Sequence, residues 1–347
     1  MPILDIDSTR ALRHLNQQAH SRWSSIAGAD NSESVGSDFF RPKLQKTFSL
    51  NRASAGYVLG SCFAQEIQFA LGRRGVPLRS SILDSPKESW FLQDGSDGLL
   101  DSAGESRFPL AASNYWPLHF FHRFNPRSML QEFENILSKS PSIANGALIF
   151  ERPDGLFADY HYDPRFRLQT FQDCIERRKF VRQRINALLQ VDFVILTLGL
   201  IEAWVDAESG LYLNRPPRLD LIEQFPARFR LQVLGEADVF ESMKRILELL
   251  YSANPDMGVV LTVSPVPLAA TFTGDDIAVA NANSKATLLC AVNRLLQAFP
   301  RTCYFPSYEI VTHSNRSAAW AADGRHVRAE FVERIMDFFC SEMIVAS

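Results

Sequence analysis

Gly60-Ser61-Cys62 follows the apolar run Tyr57-Val58-Leu59 and precedes residues 65–71, whose apolar side chains have helical spacing. A small-residue turn between a strand and a helix can hold a hydroxyl or thiol up to solvent. The unpaired N–H groups and the positive dipole end of the helix lie behind it. A nucleophile that attacks a carbonyl and must then stabilise an oxyanion needs this arrangement. Ser61 and Cys62 compete for the role. A thiolate is the better nucleophile, and a helix N-terminus lowers a thiol pKa. Neighbours on such a turn point in different directions, however, so only one of them can face a base, and Cys62 could instead pack beneath the turn.

The base that this chemistry requires is His326, three residues after Asp323 in Asp323-Gly324-Arg325-His326. In a tight loop the carboxylate accepts from imidazole Nδ1 and leaves Nε2 for a hydroxyl or thiol. An isolated Asp-x-x-His is more often a helix N-cap beside an exposed histidine. Its position just before the last helical pattern, with the Gly60-Ser61-Cys62 turn after the first strand, favours the catalytic reading. Two further turns end apolar runs, Thr197-Leu198-Gly199-Leu200 with Glu202 and Trp204, and Ser264-Pro265-Val266-Pro267. In a parallel sheet all four segments open onto one rim. A separate polar cluster, Asp159-Tyr160-His161-Tyr162-Asp163, reads either as a carboxylate and imidazole metal site on one strand face or as a structural hydrogen-bond network. The second reading is preferred. His119 and His122 lie in an aromatic segment that reads as core or pocket wall.

The elements that must carry these turns are legible as alternation. Residues 57–59, 193–198 and 259–263, with 303–305 as a shorter fourth, are apolar runs of the kind buried in a parallel sheet. Helical patterns alternate with them. One covers 171–189, one carries Val239, Met243, Ile246 and Leu250 with Asp238 and Glu241 as its capping box, one carries Leu288, Val292 and Leu295, and one carries Phe331, Ile335 and Phe338. The pattern predicts a three-layer α/β/α sandwich with a mainly parallel, doubly wound sheet. Sites in such folds lie beyond the carboxyl ends of the strands. Residues 1–50 read as an N-terminal arm and 51–347 as the domain, with a polar surface insertion at 84–106.

Composition narrows the partners. The chain has 347 residues, 46% hydrophobic, with a net charge of -3, and no basic patch suited to phosphate, so nucleic acid is not expected. The run Arg177, Arg178, Lys179, Arg182 and Arg184 reads as a solvated helix face. The five cysteines lack metal-site or disulfide spacing, and Cys174, Cys290 and Cys340 read as buried apolar residues. There is no apolar run of the ~20 residues a membrane span needs, and the N-terminus lacks the apolar core of a signal peptide. A cytoplasmic protein without a membrane partner is expected. The oligomeric state is left open.

The pentapeptide Gly60-Ser61-Cys62-Phe63-Ala64 resembles the signature of the GSCFA-domain proteins. Further matches are Phe157-Ala158-Asp159-Tyr160-His161-Tyr162, Leu196-Thr197-Leu198-Gly199, Leu261-Thr262-Val263-Ser264-Pro265-Val266, Asn283-Ser284-Lys285-Ala286, Tyr304-Phe305-Pro306-Ser307-Tyr308-Glu309 and the loop at 323–326. That family is similar to SGNH, or GDSL-like, hydrolases, which cleave or transfer acyl esters. The resemblance implies Ser61 as nucleophile, His326 as base, Asp323 as its orienting partner and the Ser61 N–H as part of the oxyanion hole. It tips the choice between Ser61 and Cys62 towards Ser61. The chain departs from the pattern at the other two oxyanion donors, a Gly and an Asn. Gly199 is followed by Leu200, Ile201 and Glu202, and the other region offers Phe124-Asn125-Pro126. Asn125, His122 or backbone N–H groups must then substitute, or the hole differs.

The expected function is a serine-dependent esterase or acyltransferase acting through an acyl-enzyme, with no metal or organic cofactor. Related families suggest a small-molecule or O-acylated carbohydrate ester as substrate. Gly60, Cys62, Asn125, Asp159, His161, Gly199, Glu202 and Trp204 are the expected oxyanion or substrate-binding residues, with Glu202 on a sugar hydroxyl and Trp204 as a stacking surface. The alternatives are a carbohydrate-binding module that has lost turnover, and a metal-dependent hydrolase using Asp159, His161 and His326.

Overall fold

The computed structural model describes residues 6–17, 35–80, 122–137, 143, 146–164 and 170–345. The expected insertion at 84–106, and His119, lie outside them. In chain order the elements are α1 (Ser8–Gln17), β1 (Gly56–Gly60), α2 (Cys62–Arg73), α3 (Pro126–Leu137), β2 (Ile149–Glu151), β3 (Phe157–Asp159), α4 (Phe171–Ile185), β4 (Phe193–Leu198), β5 (Glu202–Asp206), β6 (Tyr212–Leu213), α5 (Leu219–Gln224), β7 (Phe229–Val233), α6 (Glu236–Ala253), β8 (Gly258–Val263), α7 (Ile277–Ala298), β9 (Thr302–Tyr304), α8 (Ser307–His313), α9 (Arg316–Ala319) and α10 (Ala329–Met343). A 3-10 turn, Asn186–Gln190, continues α4.

The central sheet has the order β1-β4-β8-β9, and every pairing is parallel. Its strands are the four apolar runs read from sequence. Every residue of β1, β4 and β8 is buried, so both faces are covered and no polar alternation is needed. Alternation instead divides the core. Tyr57, Leu59, Leu196, Leu261 and Val263 face one side, where Phe133 of α3, Val181 of α4, Met243 of α6 and Leu288 of α7 pack on them. Val58, Phe193, Ile195 and Val260 face the other, against Ile67 of α2 and Phe331, Ile335 and Phe338 of α10. Helices thus cover both faces of the sheet. Among the described residues no helix is long and apolar enough to cross a membrane.

Gly60 pairs with Thr197 on one edge of β1 and bridges to His122 on the other, both in parallel sense. The chain leaves β1 through α2 on one face and returns to β4 from α3 and α4 on the opposite face. The carboxyl end of β1 is therefore the point where the winding changes sides, and a crevice opens there in doubly wound sheets.

Several expectations are revised. Residues 36–50, read as arm, lie against the body, where Phe39 and Leu50 are buried and Leu50 bridges to Ile344. Helix α6 starts ahead of the capping box expected at Asp238. Asp238 instead occupies the first turn and accepts the Gly235 N–H at 3.0 Å. Arg177 is buried and Arg178 turns inward, so only part of that basic run is a solvated face. Cys174 is buried as expected, Cys340 is half-buried and Cys290 is exposed. The antiparallel sheet β6-β5-β7 and the β2-β3 hairpin were not anticipated.

Gly60 has φ +141°, and a Cβ there would come 2.2 Å from the Thr197 carbonyl oxygen. Both the backbone conformation and the space exclude any other residue. Gly60→Ala is expected to cost at least ~3 kcal/mol, because neither obstacle can relax without opening the β1–β4 pairing. Urea denaturation of the two proteins checks this, with the midpoint falling and the slope unchanged.

Candidate functional site

Ser61 is the residue before α2, with extended backbone, and would ordinarily cap the helix with its hydroxyl. It does not. Its N–H donates to Thr197 O at 3.1 Å, and its Oγ lies 3.2 Å from Thr197 Oγ1. Ser61 is 2% exposed, and a Cβ added to Gly199 would stand 3.1 Å from the Ser61 Cβ. The serine hydroxyl is thus turned down into the sheet end. The first N–H groups of α2 are left without a side-chain cap. An uncapped helix N-terminus is a place for developing negative charge.

Cys62, the next residue, faces a pocket. Its lining is Cys62, Phe63, Gln65, Glu66, Val266, His326 and Val327, around a cavity of about 40 Å³. The structure therefore brings His326 together with Cys62, and Ser61 is not part of that lining. Cys62 is half-buried. Burial raises its thiol pKa. The charges of Arg325, Lys285 and Arg215 oppose that rise, and Glu66 adds to it. The resting group is a thiol. Glu66, one helical turn further along α2 on the same face, has a carboxyl raised by burial and by Glu333, with Arg73 opposing. Neither Gln65 nor Glu66 was anticipated, although their three- and four-residue spacing from Cys62 on one helix was readable.

His326 is held in the turn before α10. Asp323 Oδ1 accepts the N–H groups of Arg325 and His326 at 2.9 and 3.0 Å, and Asp323 Oδ2 accepts from His326 Nδ1 at 2.5 Å. Gly324 has φ +68°, which the tight turn requires. Partial burial alone would raise the Asp323 carboxyl, but these bonds hold it at about 2. With Nδ1 held by the carboxylate, any proton exchanged with the pocket passes through Nε2. The expected Asp323–His326 pair is present, and the bridge Trp320–Val327 closes the loop that carries it.

The remaining expected residues serve the walls. Gly199 lets two backbones approach, since a Cβ there would meet Phe124 O at 2.8 Å. Asn125 is not placed to donate to an oxyanion. It stands before α3, where its Oδ1 accepts the Ser128 N–H at 2.8 Å and its Nδ2 donates to Leu213 O at 3.2 Å. Glu202 is committed as well, accepting from Thr271 Oγ1 at 2.6 Å and from Phe272 N at 2.9 Å, so it pins a loop and does not present a carboxylate to a sugar. Trp204 stands edge-on to Phe272 with ring centres 5.3 Å apart. Both residues lie on β5, beyond the turn.

Asp159, His161 and Asp163 do not alternate on one strand, because β3 ends at Asp159. Each is buried and has its own partner. Arg178 grips Asp159 with two bonds of 2.6 and 2.8 Å, His161 Nε2 lies 2.7 Å from Glu132 Oε2, and Arg215 pairs with Asp163 at 2.7 Å. Glu132 also pairs with Arg123, whose guanidinium lies 4.6 Å over the Tyr162 ring. This is the structural network, and it holds the strip 122–125 beside the turn. Arg123 N donates to Gly60 O at 2.6 Å, and Asn214 accepts the Phe124 N–H and donates to His122 O. Gln65 of the pocket lies 3.1 Å from His122 Nε2. Among the described residues, no group of three or more His, Cys, Asp or Glu is placed to hold a metal ion.

A model of the GSCFA family matches residues 57–339, most of the chain, and the protein belongs to that family. The match spans the turn, the pocket and the Asp323–His326 loop. None of the curated proteins compared with the chain matches it.

Burial would raise the Glu132 carboxyl, but Arg123 and His161 overcome it and hold the group at about 2. Its folded value lies below its ordinary 4.5, so its contribution to stability is complete above 4.5. That contribution is lost as pH falls from there through 2. His161 is pushed down by burial, against the attraction of Glu132, so the unfolded chain takes up its proton first as pH falls below 6.5. Both groups make acid unfold the protein. Glu132→Ala, which strands Arg123, is expected to cost ~3–5 kcal/mol and to flatten the acid limb of a stability–pH curve measured by chemical denaturation.

Proposed function

We propose that this protein hydrolyses or transfers acyl groups at the pocket beside the first turn of α2, on an SGNH-like fold, with Cys62 as nucleophile. The single observation that carries the reading is the shared pocket of Cys62 and His326, with Asp323 holding the far nitrogen of the imidazole. Cys62 Sγ attacks the carbonyl carbon while His326 Nε2 takes the thiol proton. The uncapped N–H groups at the start of α2 receive the oxyanion. Collapse expels the leaving oxygen with the proton from His326, and a thioester remains on Cys62. Water or an acceptor hydroxyl then gives its proton to His326, attacks the thioester and releases the thiol.

Helix N–H groups in place of an asparagine donor account for Asn125 being occupied elsewhere. Ser61 as nucleophile is the second reading, supported by the family signature. It requires the Ser61 hydroxyl to leave Thr197 and turn outward. A carbohydrate ester fits either reading as the acyl donor.

A panel of p-nitrophenyl esters of increasing chain length separates these readings. Cys62→Ala and His326→Ala are expected to lower kcat/KM for the acetyl ester by at least ~10², while Ser61→Ala lowers it by less than ~10-fold. Full activity in Cys62→Ala with loss in Ser61→Ala selects the serine. A wild type that turns over no ester yet binds an acylated glycan selects a binding module.

A further inference from the structure

Two polar side chains of the pocket take no part in the reaction described so far. Gln65 and Glu66 line it with Cys62 and His326. They stand three and four residues after Cys62 on α2, which sets each about 5–6 Å from Cys62 at Cβ. The other lining side chains, Phe63, Val266 and Val327, are apolar. Gln65 is buried, and its Oε1 lies 3.1 Å from His122 Nε2. An amide oxygen only accepts, so the ring N–H donates there. With its oxygen held by His122, the Gln65 amide keeps its NH2 group, which has no hydrogen-bond partner among the described residues. Glu66 is half-buried, and its carboxylate has neither a hydrogen bond nor an ion pair among them. Arg73, further along the same helix, is paired with Glu333.

The pocket thus carries a spare donor beside a spare acceptor. Amide N–H groups only donate and a carboxylate only accepts. Covering either with a substrate that leaves it unpaired costs free energy. A hydroxyl both donates and accepts, so neighbouring hydroxyls satisfy the two groups together. An ammonium would satisfy Glu66 alone and set its charge against the Gln65 N–H groups. A carboxylate would satisfy Gln65 and repel Glu66. Burial raises the Glu66 carboxyl, Arg73 opposes the rise and Glu333 adds to it, which is the state of a carboxylate that the fold itself leaves without donors.

We propose that Gln65 and Glu66 form a hydroxyl-binding subsite, so that the ester taken by the pocket carries hydroxyl groups within a few bonds of its carbonyl. Gln65 Nε2 donates to one hydroxyl oxygen, and that hydroxyl or its neighbour donates to Glu66. An alkyl ester of the same length leaves both groups unpaired, and sites of this kind reject an analogue that lacks the hydroxyl. The proposal rests on the reading of this pocket as the ester site. It does not depend on which of Ser61 and Cys62 is the nucleophile.

Two measurements test it. Glycerol monoacetate and propyl acetate differ only in hydroxyls on the alcohol side, and propyl glycerate and propyl propanoate differ only in hydroxyls on the acyl side. The protein is expected to favour the hydroxylated member of one pair by at least ~10-fold in kcat/KM, and that pair shows on which side the hydroxyls lie. The ratio is expected to fall towards one in Glu66→Met and Gln65→Met and to persist in Glu66→Gln, which keeps an acceptor. A merely structural role slows both members together and leaves the ratio in place. The second measurement needs no turnover. Glycerol is expected to slow iodoacetamide labelling of Cys62 saturably where 1-propanol does not, and Glu66→Met is expected to lose that protection. No preference within either pair, a preference for acetylcholine over glycerol monoacetate, or protection unchanged in Glu66→Met overturns the proposal. If Gln65→Met does not fold, Glu66→Met decides alone. Ester turnover abolished by Cys62→Ala, yet without preference in either pair, refutes the subsite and leaves the acyl-transfer reading intact. Glycerol protection that Glu66→Met removes, in a protein that turns over no ester, does the reverse.

Discussion

The contact between Gly60-Ser61 and Thr197 determines the rest of the site. Parallel strands β1 and β4 end side by side there, and only glycine fits between the Thr197 carbonyl and the turn. With Ser61 bound to Thr197 through both N–H and hydroxyl, the helix that follows starts without a cap, and Cys62 becomes the first side chain to reach the pocket. One backbone constraint thus leaves Cys62 and not Ser61 lining the pocket with His326, beside a helix start without a side-chain cap.

A second constraint keeps that turn from shifting. Arg123, Glu132, His161 and Tyr162 form a fully buried charged cluster under the strip 122–125. Such clusters contribute little to net stability, but removing one partner is expensive. The strip in turn bonds to Gly60 and, through Phe124 O, to Leu200. Lys285 and Glu202 hold the loops on the other side, with Lys285 joining the turns after β4 and β8 and Glu202 fastening residues 271–272. Polar side chains that look like substrate ligands in the sequence are mostly these struts, and His326 with Asp323 is the pair that stays at the pocket.

The sequence made the frame legible because strands buried on both faces are uninterrupted apolar runs, as 193–198 and 259–263 are. The sheet β6-β5-β7 was hidden because β7 exposes Arg230, Gln232 and Val233 and β6 is two residues long, leaving no periodic signal to read. The Asp323–His326 pair could be read because three-residue spacing in a loop brings carboxylate and imidazole together locally. The role of Asn125 was readable and missed, since Asn before Pro126, with Ser128 three residues on, is a helix-start pattern. Which of Ser61 and Cys62 lines the pocket could not be read at all. It depends on the contact with Thr197, 136 residues away. The partners of Asp159 and His161 are likewise fixed by arginine and glutamate residues brought in by α3 and α4.

The central claim is that the outward side chain of the turn is the thiol of Cys62, poised against His326. The most direct measurement is peptide mass mapping of the protein quenched in acid after brief exposure to p-nitrophenyl acetate. The account predicts one acetyl group on the peptide carrying residues 61 and 62, released by hydroxylamine at neutral pH as a thioester is and absent from Cys62→Ala. An acetyl group that persists in Cys62→Ala and disappears in Ser61→Ala would contradict it.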